Sequence, residues 1–227
     1  MATALKVVLL GESGVGKTCI INMFTTGKYD SDIGSSISAQ FTSKTVEYKE
    51  FKQTIKFDIW DTAGQEKYRS LAKIFYKEAK VIGLCYDITN KKSFIELKDF
   101  WYNQEIKSNV DGEPIFAVIG NKNDLYEQKQ VDDEEAKAFA REIKGIFQCT
   151  SARTNTGINN LFENIGKKYF NPDFDSNEAE DKQKQEYEQK KIEKKENKKI
   201  AGPNKGERIK LNVEKTKKDN QNKKGCC

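Results

Sequence analysis

The sequence lacks several features that would place it in other protein classes. No apolar run approaches the ~18 residues that a transmembrane helix requires, and the N-terminal apolar run ends at Gly11, so we expect no secretory signal peptide. Residues 1–170 also lack a basic excess, because they hold 24 Lys and Arg against 23 Asp and Glu. A basic nucleic-acid-binding domain is therefore not expected. The sequence contains no internal repeat.

The five cysteines have no spacing that fits a zinc site. Cys19, Cys85 and Cys149 lie within apolar segments, and we expect them to be small buried side chains in a reducing compartment. Cys226 and Cys227 are the last two residues, where a pair of cysteines has no packing role.

Short apolar runs alternate with segments of helical periodicity through the first 170 residues. Strands are predicted at residues 5–10, 41–49, 54–60, 81–86, 115–119 and 146–150. Helices are predicted to start near Cys19 and to span residues 93–106, 132–143 and 157–169, with Asp132 as a cap and Glu135 three residues later. This alternation predicts an α/β fold with a mixed, mostly parallel six-stranded sheet and helices on both faces.

A composition change near Pro172 marks the end of the predicted domain. Beyond it, apolar residues are too sparse to bury a core, and 28 of the 57 residues from 171 to 227 are charged. We therefore predict a domain of residues 1–172, followed by a disordered basic tail of residues 173–227.

The segment G-E-S-G-V-G-K-T at residues 11–18 matches the phosphate-binding loop G-x-x-x-x-G-K-[ST], with a predicted strand before it and a helix after it. The glycines let backbone N–H groups converge on phosphate oxygens, Lys17 can reach the β- and γ-phosphates, and the Thr18 hydroxyl suits Mg²⁺. The predicted contacts of this loop are Ser13, Gly14, Val15, Gly16, Lys17, Thr18 and Cys19. The loop alone does not separate ATP from GTP, or a kinase from a motor or a switch.

Asn121, Lys122 and Asp124 directly follow a predicted strand in the motif N-K-N-D, and with the phosphate loop they make the chain resemble the Ras superfamily of small GTPases. In that family the motif reads guanine. A carboxylate at Asp124 accepts from the ring N–H and the exocyclic amine of guanine, a pair of donors that adenine lacks. The Lys122 stem can lie along the base.

Three further predicted base contacts follow the last predicted strand. Ser151, Ala152 and Arg153 resemble the family's S-A-K segment, whose backbone N–H meets the guanine carbonyl, and Arg153 stands where the family usually has Lys.

The resemblance assigns the hydrolysis machinery to the segment D-T-A-G-Q at residues 61–65. It implies that Asp61 holds Mg²⁺ through a water, that the Gly64 N–H contacts the γ-phosphate and that Gln65 positions the attacking water. No Arg stands obviously in cis to stabilise the transferred phosphoryl group. We therefore expect slow intrinsic hydrolysis of GTP to GDP and phosphate, accelerated by an activating protein.

The first switch is expected at residues 28–41. The family has there a Thr that binds Mg²⁺ and the γ-phosphate, and counting along the segment places Ser36 at this position, with Ser35 as the alternative. Ser38 stands where the family usually has Gly, and Tyr29 stands where an aromatic ring packs against guanine. These departures keep open a second function, a non-hydrolysing nucleotide-dependent membrane scaffold.

Within the superfamily, the motifs W-D-T-A-G-Q-E at residues 60–66 and Y-D-I-T-N at residues 86–90 resemble the Rab family. Phe41, Trp60 and Phe75 match the aromatic triad that Rab proteins present to effectors, although Phe75 is usually Tyr. The stretch 36–46 looks nearest the early-endosomal branch. The resemblance implies an exchange factor, an activating protein, effectors of the GTP state and a chaperone of the GDP-dissociation-inhibitor type, with a monomeric GTPase domain.

The C-terminal Cys-Cys pair looks like the double prenylation signal of Rab proteins, because Cys226 and Cys227 do not form a C-a-a-X box. From Lys191 onward 13 basic residues face 5 acidic ones. Two lipid chains, or one with basic residues, anchor a protein stably. We therefore expect the cytosolic face of an intracellular membrane, with cycling through the cytosol. A P-loop nucleotide kinase and a tail that binds nucleic acid are the less favoured alternatives.

Overall fold

One six-stranded sheet organises the protein, which a computed structural model describes over residues 2–30, 40–61, 72–110 and 112–176. The strand order is β2-β3-β1-β4-β5-β6. Only the β2–β3 pair is antiparallel within this described sheet, and the other neighbours are parallel. The strands are β1 (Thr3–Leu10), β2 (Gln40–Tyr48), β3 (Gln53–Asp61), β4 (Val81–Asp87), β5 (Ile115–Asn121) and β6 (Ile146–Cys149).

Helices connect these strands and cover both faces of the sheet. They are α1 (Lys17–Thr26), α2 (Ala72–Tyr76), α3 (Lys91–Glu96), which continues as a π-helix (Leu97–Ile106), a 3₁₀-helix (Asn123–Gln128), α4 (Asp133–Glu142) and α5 (Ile158–Phe170). The described chain contains no helix that is long and apolar enough to cross a membrane.

The alternation of β1 divides the core into two layers. Leu5, Val7 and Leu9 join the cluster that contains α1 and α5, whereas Val8 and Leu10 join the cluster that contains α2, the α3 and π-helix segment and α4. Successive side chains of a strand point to opposite faces, so each layer is one side of the sheet. The predicted α/β fold with a mostly parallel sheet and helices on both faces is confirmed.

The helix predicted at residues 93–106 differs from a regular α-helix. α3 ends at Glu96, and the chain continues to Ile106 with the wider π-turn, in which the Lys107 N–H donates to the Tyr102 carbonyl at 2.9 Å. The spacing explains the change. Trp101 and Ile106 are both fully buried but stand five residues apart, and an α-helix places i and i+4 on one face.

The start of α4 confirms one half of its predicted cap. The Asp132 carboxylate accepts from the Glu134 N–H at 3.0 Å. Glu135 has a different role, because its carboxylate pairs with Lys91 of α3 and, at 3.2 Å, with Lys98 of the π-helix. The hydrogen bond from Lys91 is the largest of the effects that lower the pKa of Glu135.

The prediction that three cysteines are buried was correct for Cys85 only. Cys85 lies in the central strand β4 and is fully buried, whereas Cys19 and Cys149 are partly exposed. Cys19 sits on the first turn of α1 and Cys149 at the end of the edge strand β6, where less material covers a side chain.

The chain continues to pack after α5. The buried Ser176 hydroxyl lies 3.3 Å from the Phe147 backbone nitrogen and 3.4 Å from the Phe147 carbonyl oxygen, at the edge strand β6. The predicted boundary at residue 172 stays a prediction, and the tail from residue 177 lies outside the described residues.

Candidate nucleotide-binding site

The predicted site residues meet at the carboxyl ends of the strands. The loop of residues 11–16 follows β1, and Asp61 ends β3. Asn121 ends β5 with residues 122–124 after it, and residues 151–153 follow β6. The strand order reverses at β1, and ligands of open α/β sheets bind in the crevice at this kind of switch point.

Gly16 allows the phosphate loop to approach Asn121 at the end of β5. Its φ is 97°, and a Cβ there would lie 2.3 Å from Nδ2 of Asn121. The same amide donates to the Val15 carbonyl at 2.8 Å, and its Oδ1 accepts from the Thr150 hydroxyl at 3.1 Å. Asn121 is buried and therefore ties the phosphate loop to β5 and to the end of β6.

The Lys17 ammonium lies inside the phosphate loop. Its Nζ donates to the carbonyls of Gly11 and Glu12, each at 2.8 Å. The side chain is buried, and this burial lowers the pKa of Lys17. The loop thus holds a cation against its own backbone, at the N-terminus of α1, where an anion is favoured.

Thr18 and Asp61 form a pair of oxygen ligands next to this loop. The Thr18 hydroxyl donates to Oδ2 of Asp61 at 2.6 Å, and Asp61 is buried at the end of β3. A hydroxyl and a buried carboxylate beside a phosphate-binding loop are the donor set that Mg²⁺ prefers. These two residues therefore fit the metal that the sequence implies.

Asp124 is fixed at the opposite end of the site. Its Oδ1 accepts from the Ser151 hydroxyl at 2.7 Å, and its Oδ2 lies 4.0 Å from Nη1 of the largely exposed Arg153. Ala152, between the two partners, is buried. The carboxylate is thus oriented by a hydroxyl from the neighbouring strand end.

A cleft of about 280 Å³ runs between the two ends of the site. Its walls are formed by Gly14, Gly16, Cys19, Tyr29, Asn121, Lys122, Asp124, Leu125, Ala152 and Arg153. Burial raises the pKa of the Cys19 thiol in this wall, and Ser13 is exposed at the loop tip. A larger groove of about 590 Å³ lies between β2 and α5, and none of the predicted nucleotide contacts that the structure describes lines it.

Two residues of the site were missed by sequence reasoning. Asp87 ends β4 and binds Nζ of Lys122 at 2.6 Å, while its Oδ1 accepts from the N–H and hydroxyl of Thr89 at 2.8 and 2.7 Å. Thr150 holds Asn121. Asp87 is the charged last residue of the otherwise apolar strand β4, at the same sheet edge as the other site residues, and this position could have revealed it.

The predicted effector aromatics form one cluster. The Phe41 and Trp60 ring centroids are 5.2 Å apart, and those of Trp60 and Phe75 are 6.0 Å apart. Phe41 is 54% exposed and the neighbouring Ile74 is 67% exposed. An apolar surface of this kind suits a protein partner.

Several predicted residues lie outside the described part of the chain. They are Ser36 with its alternative Ser35, Ser38, Gly64, Gln65 and the two C-terminal residues Cys226 and Cys227. Their roles stay predictions.

Comparison with known proteins identifies the family. The Ras family model matches residues 6–171. The chain is 42% identical over 163 residues to Ras-related protein RabJ of Dictyostelium discoideum, covering 72% of this chain but 62%, less than two thirds, of that protein. It is 42% identical over 163 residues to Ras-related protein Rab5A of Oryza sativa subsp. japonica (72% of this chain, 78% of that protein). It is 39% identical over 175 residues to Ras-related protein Rab-22A of Mus musculus (77% and 87%). The chain therefore belongs to the Rab branch of the Ras family, whose members are GTP-binding and GTP-hydrolysing switches of vesicle trafficking.

Proposed function

We propose that this protein is a Rab-type switch that binds GDP and GTP with Mg²⁺ in the cleft between the phosphate loop and Asp124. The observation that carries this proposal is the link that Asn121 makes between the two ends of the cleft. One buried amide joins the phosphate loop to the strand end that bears Asp124, at 2.8 Å from the Val15 carbonyl. The spacing between a phosphate subsite and a base subsite is thereby fixed, as a nucleoside phosphate requires.

The phosphate end of the cleft supplies charge and metal ligands. Lys17 brings a buried cation to the β- and γ-phosphates, and the backbone N–H groups of residues 13–18 surround them. Thr18 and Asp61 would hold Mg²⁺, with Ser36 of the first switch as a further ligand. Bound there, Mg²⁺ neutralises charge on the phosphate oxygens.

The base end selects guanine. Asp124 accepts two hydrogen bonds from the guanine edge, the Ser151 hydroxyl orients the carboxylate at 2.7 Å, and the Asp87 carboxylate holds Lys122 at 2.6 Å. Adenine would leave the Asp124 carboxylate without its two donors. A site built on such hydrogen bonds can reject the wrong ligand by about 10⁴-fold.

Hydrolysis requires an oriented water and stabilisation of the transferred phosphoryl group. Gln65 orients the water, and an activating protein supplies the missing charge. Nothing observed favours the alternative of a non-hydrolysing scaffold. Single-turnover hydrolysis of GTP separates the two functions, because Gln65→Leu slows a GTPase and leaves a scaffold's negligible rate unchanged.

Exchange of the base-reading carboxylate for an amide tests the cleft assignment. Asp124→Asn presents one donor in place of an acceptor, which suits the additional carbonyl of xanthine. We expect the affinity for GDP to fall by at least about 10²-fold and the affinity for xanthosine diphosphate to rise, as measured by displacement of a fluorescent nucleotide.

The matched control for this experiment is Asp132→Asn, which makes the same chemical change at the N-cap of α4, outside the cleft. Asn also caps helices, so the fold tolerates it. Unchanged GDP affinity in Asp124→Asn, or an equal loss in the control, would contradict the assignment.

The cellular role follows from the family and the tail. In the GTP state, the cluster of Phe41, Trp60 and Phe75 recruits effectors to the cytosolic face of an intracellular membrane, which we assign to the endosomal system. Prenylated Cys226 and Cys227 attach the protein there. An exchange factor and an activating protein switch it, and a chaperone of the GDP-dissociation-inhibitor type extracts it. The GTPase domain acts as a monomer.

A further inference from the structure

The π-helix reaches the phosphate loop through one side chain. Trp101 is 1% exposed, and its indole Nε1–H donates to Oε1 of Glu12 at 3.3 Å. Glu12 is the second residue of the phosphate loop, and its backbone carbonyl accepts from Nζ of Lys17 at 2.8 Å. A helix on one face of the sheet therefore contacts the residue on which the phosphate-binding cation rests.

The π-turn is what permits this contact together with a closed core. Trp101 and Ile106 are both buried, whereas α-helical continuation from Trp101 would turn Glu105 toward the core. In the π-helix the Glu105 carbonyl and carboxylate accept from the buried Tyr76 hydroxyl of α2, at 3.2 and 3.4 Å. The π-helix thus contacts α2 through Glu105 and the phosphate loop through the indole of Trp101.

The contact has the chemistry of an anchor for the loop. A carboxylate acceptor strengthens a hydrogen bond from a neutral N–H, and the indole offers a donor but no acceptor. Fixing the Glu12 side chain restricts the backbone of Glu12, and with it the carbonyl that positions the Lys17 ammonium. A phenylalanine in place of Trp101 would retain most of the apolar packing but would lose this donor.

We propose that Trp101 is a positioning residue for the phosphate loop, which it holds in the nucleotide-binding conformation through the Glu12 carboxylate. This inference rests on the proposed function, since it requires that phosphate groups bind at residues 11–18. Trp101 touches no nucleotide, so its effect is on how firmly the bound nucleotide is retained. Loss of the indole N–H removes one restraint on Glu12, loosens Lys17 and speeds nucleotide release.

The test is a double-mutant cycle on the release rate of a fluorescent GDP analogue from the full-length protein. Trp101→Phe and Glu12→Ala are each expected to speed release about five-fold, the equivalent of one hydrogen bond. The double variant should release the nucleotide no faster than Glu12→Ala alone, because Glu12→Ala already removes the contact that Trp101→Phe breaks. Tyr102→Phe removes a polar group from the same helix and serves as the matched control.

Release at the wild-type rate in both single variants, or effects that multiply in the double variant, would overturn the inference. Glu12→Ala keeps the experiment decisive if Trp101→Phe fails to fold, because Glu12 lies in the loop and outside the core clusters. A wild-type protein that binds no GDP would overturn the proposed function and this inference with it, whereas normal binding with unchanged rates overturns the inference alone.

Fluorescence of the indole gives a second measurement that a core-filling role would not affect. The chain has two tryptophans, so Trp101 is the only one in a Trp60→Phe background. We expect its emission to change when Glu12→Ala is added to that background and to be unaffected when Tyr102→Phe is added. Emission that is indifferent to Glu12→Ala contradicts a contact between the two side chains.

Discussion

At the scale of single residues, the hydroxyl of Tyr86 is a polar group buried at a cost in stability. Tyr86 ends the apolar part of β4, packs against Phe94 and is fully buried. Among the residues that the structure describes, none hydrogen-bonds this hydroxyl. A buried, unsatisfied hydroxyl costs about 1–3 kcal/mol of desolvation. Burial raises the pKa of Tyr86 for the same reason.

Removal of this hydroxyl should stabilise the protein. We expect Tyr86→Phe to raise the free energy of unfolding in urea by about 1 kcal/mol, because the ring keeps its packing and the desolvation cost disappears. Tyr76→Phe is the matched control, since the Tyr76 hydroxyl bonds the Glu105 carbonyl at 3.2 Å and its loss should destabilise. Equal losses of stability in the two variants would show that Tyr86 has a partner.

Cys85 makes the stability of the protein depend on alkaline pH. Burial in β4 raises the pKa of its thiol to about 12, from the usual 9.0. The folded state therefore holds the proton more tightly than the unfolded state. The contribution of this thiol to stability is intact below pH 9 and is lost as the pH rises from 9 toward 12.

Cys85→Ala should accordingly flatten the alkaline side of the stability profile. Relative to its own value at pH 8, we expect the wild type to lose more unfolding free energy than the variant between pH 9 and pH 10.5. Urea titrations at each pH measure this difference, and Cys149→Ala, at the partly exposed thiol of β6, is the control. Parallel profiles for the wild type and Cys85→Ala would contradict a buried, protonated thiol.

Some residues of the site belong to a contiguous sequence motif, and others acquire their partners only in the folded protein. Lys17 and Asp124 were recognisable because each belongs to a short contiguous motif whose spacing is fixed by one loop. Asp87 was missed because its partner Lys122 is 35 positions away in the sequence and becomes a neighbour only when β4 pairs with β5, which aligns Asp87 with Asn121. Contacts that form only when strands pair depend on the tertiary fold, so the spacing of residues in a local motif does not predict them.

At the scale of elements, the β2–β3 hairpin is fastened to α5. The Tyr48 hydroxyl at the end of β2 donates to the Phe162 carbonyl of α5 at 2.6 Å, and Phe51 of the turn stacks on Phe170 at 4.8 Å. Gly166 makes room for the ring, because a Cβ at that position would lie 2.1 Å from the Tyr48 Cζ. The hairpin follows the predicted first switch and leads to the predicted hydrolysis segment of residues 61–65. α5 therefore holds the turn end of the hairpin, whereas Gln40 and Asp61 lie at its other end.

Gly166→Ala should therefore reverse the usual effect of replacing glycine in a helix. Alanine within an exposed helix gains about 1 kcal/mol, whereas here we expect a loss of about 1–2 kcal/mol in unfolding free energy, because the buried ring must move. In a Tyr48→Leu background, which lacks the two ring carbons and the hydroxyl oxygen nearest Gly166, Gly166→Ala should raise the unfolding free energy. Urea unfolding measures the effect of Gly166→Ala on unfolding free energy in each background. A gain of stability in the wild-type background would contradict a clash with the Tyr48 ring.

A helix or strand was predictable where its buried residues recur at one constant spacing, and not where that spacing changes along the element. β3 alternates buried and partly exposed residues from Thr54 to Asp61, and the sequence pattern showed this directly. The buried residues Phe94, Leu97, Trp101 and Ile106 have intervals of three, four and five residues. The helical pattern held for α3 but could not reveal the π-helix that begins at Leu97. The need to bury both Trp101 and Ile106 comes from the core, which the sequence pattern does not display.

At the scale of the whole molecule, the charge is divided unevenly along the chain. Residues 1–170 are nearly neutral, while the segment from Lys191 to the C-terminus carries a net charge of +8. Basic residues near an anionic membrane surface contribute about 1 kcal/mol each, which assists but does not replace a lipid anchor. A single lipid chain binds a membrane only marginally, and two chains bind it stably. Full attachment should therefore need both C-terminal cysteines, and one lipid chain with the basic tail should retain part of it.

Removal of these thiols should change where the protein resides. We expect the tagged full-length protein to mark one internal membrane, and the Cys226→Ser, Cys227→Ser double variant to be diffuse. Cys227→Ser alone should give an intermediate membrane-pelleted fraction, since one chain and the basic tail remain. Cys149→Ser, a change of the same kind in β6, is the control and should keep the wild-type location.

If the double variant stays on the membrane, the basic tail or a protein partner is the anchor. If the wild type is itself diffuse, the lipid anchor is wrong and the protein acts as a switch in the cytosol.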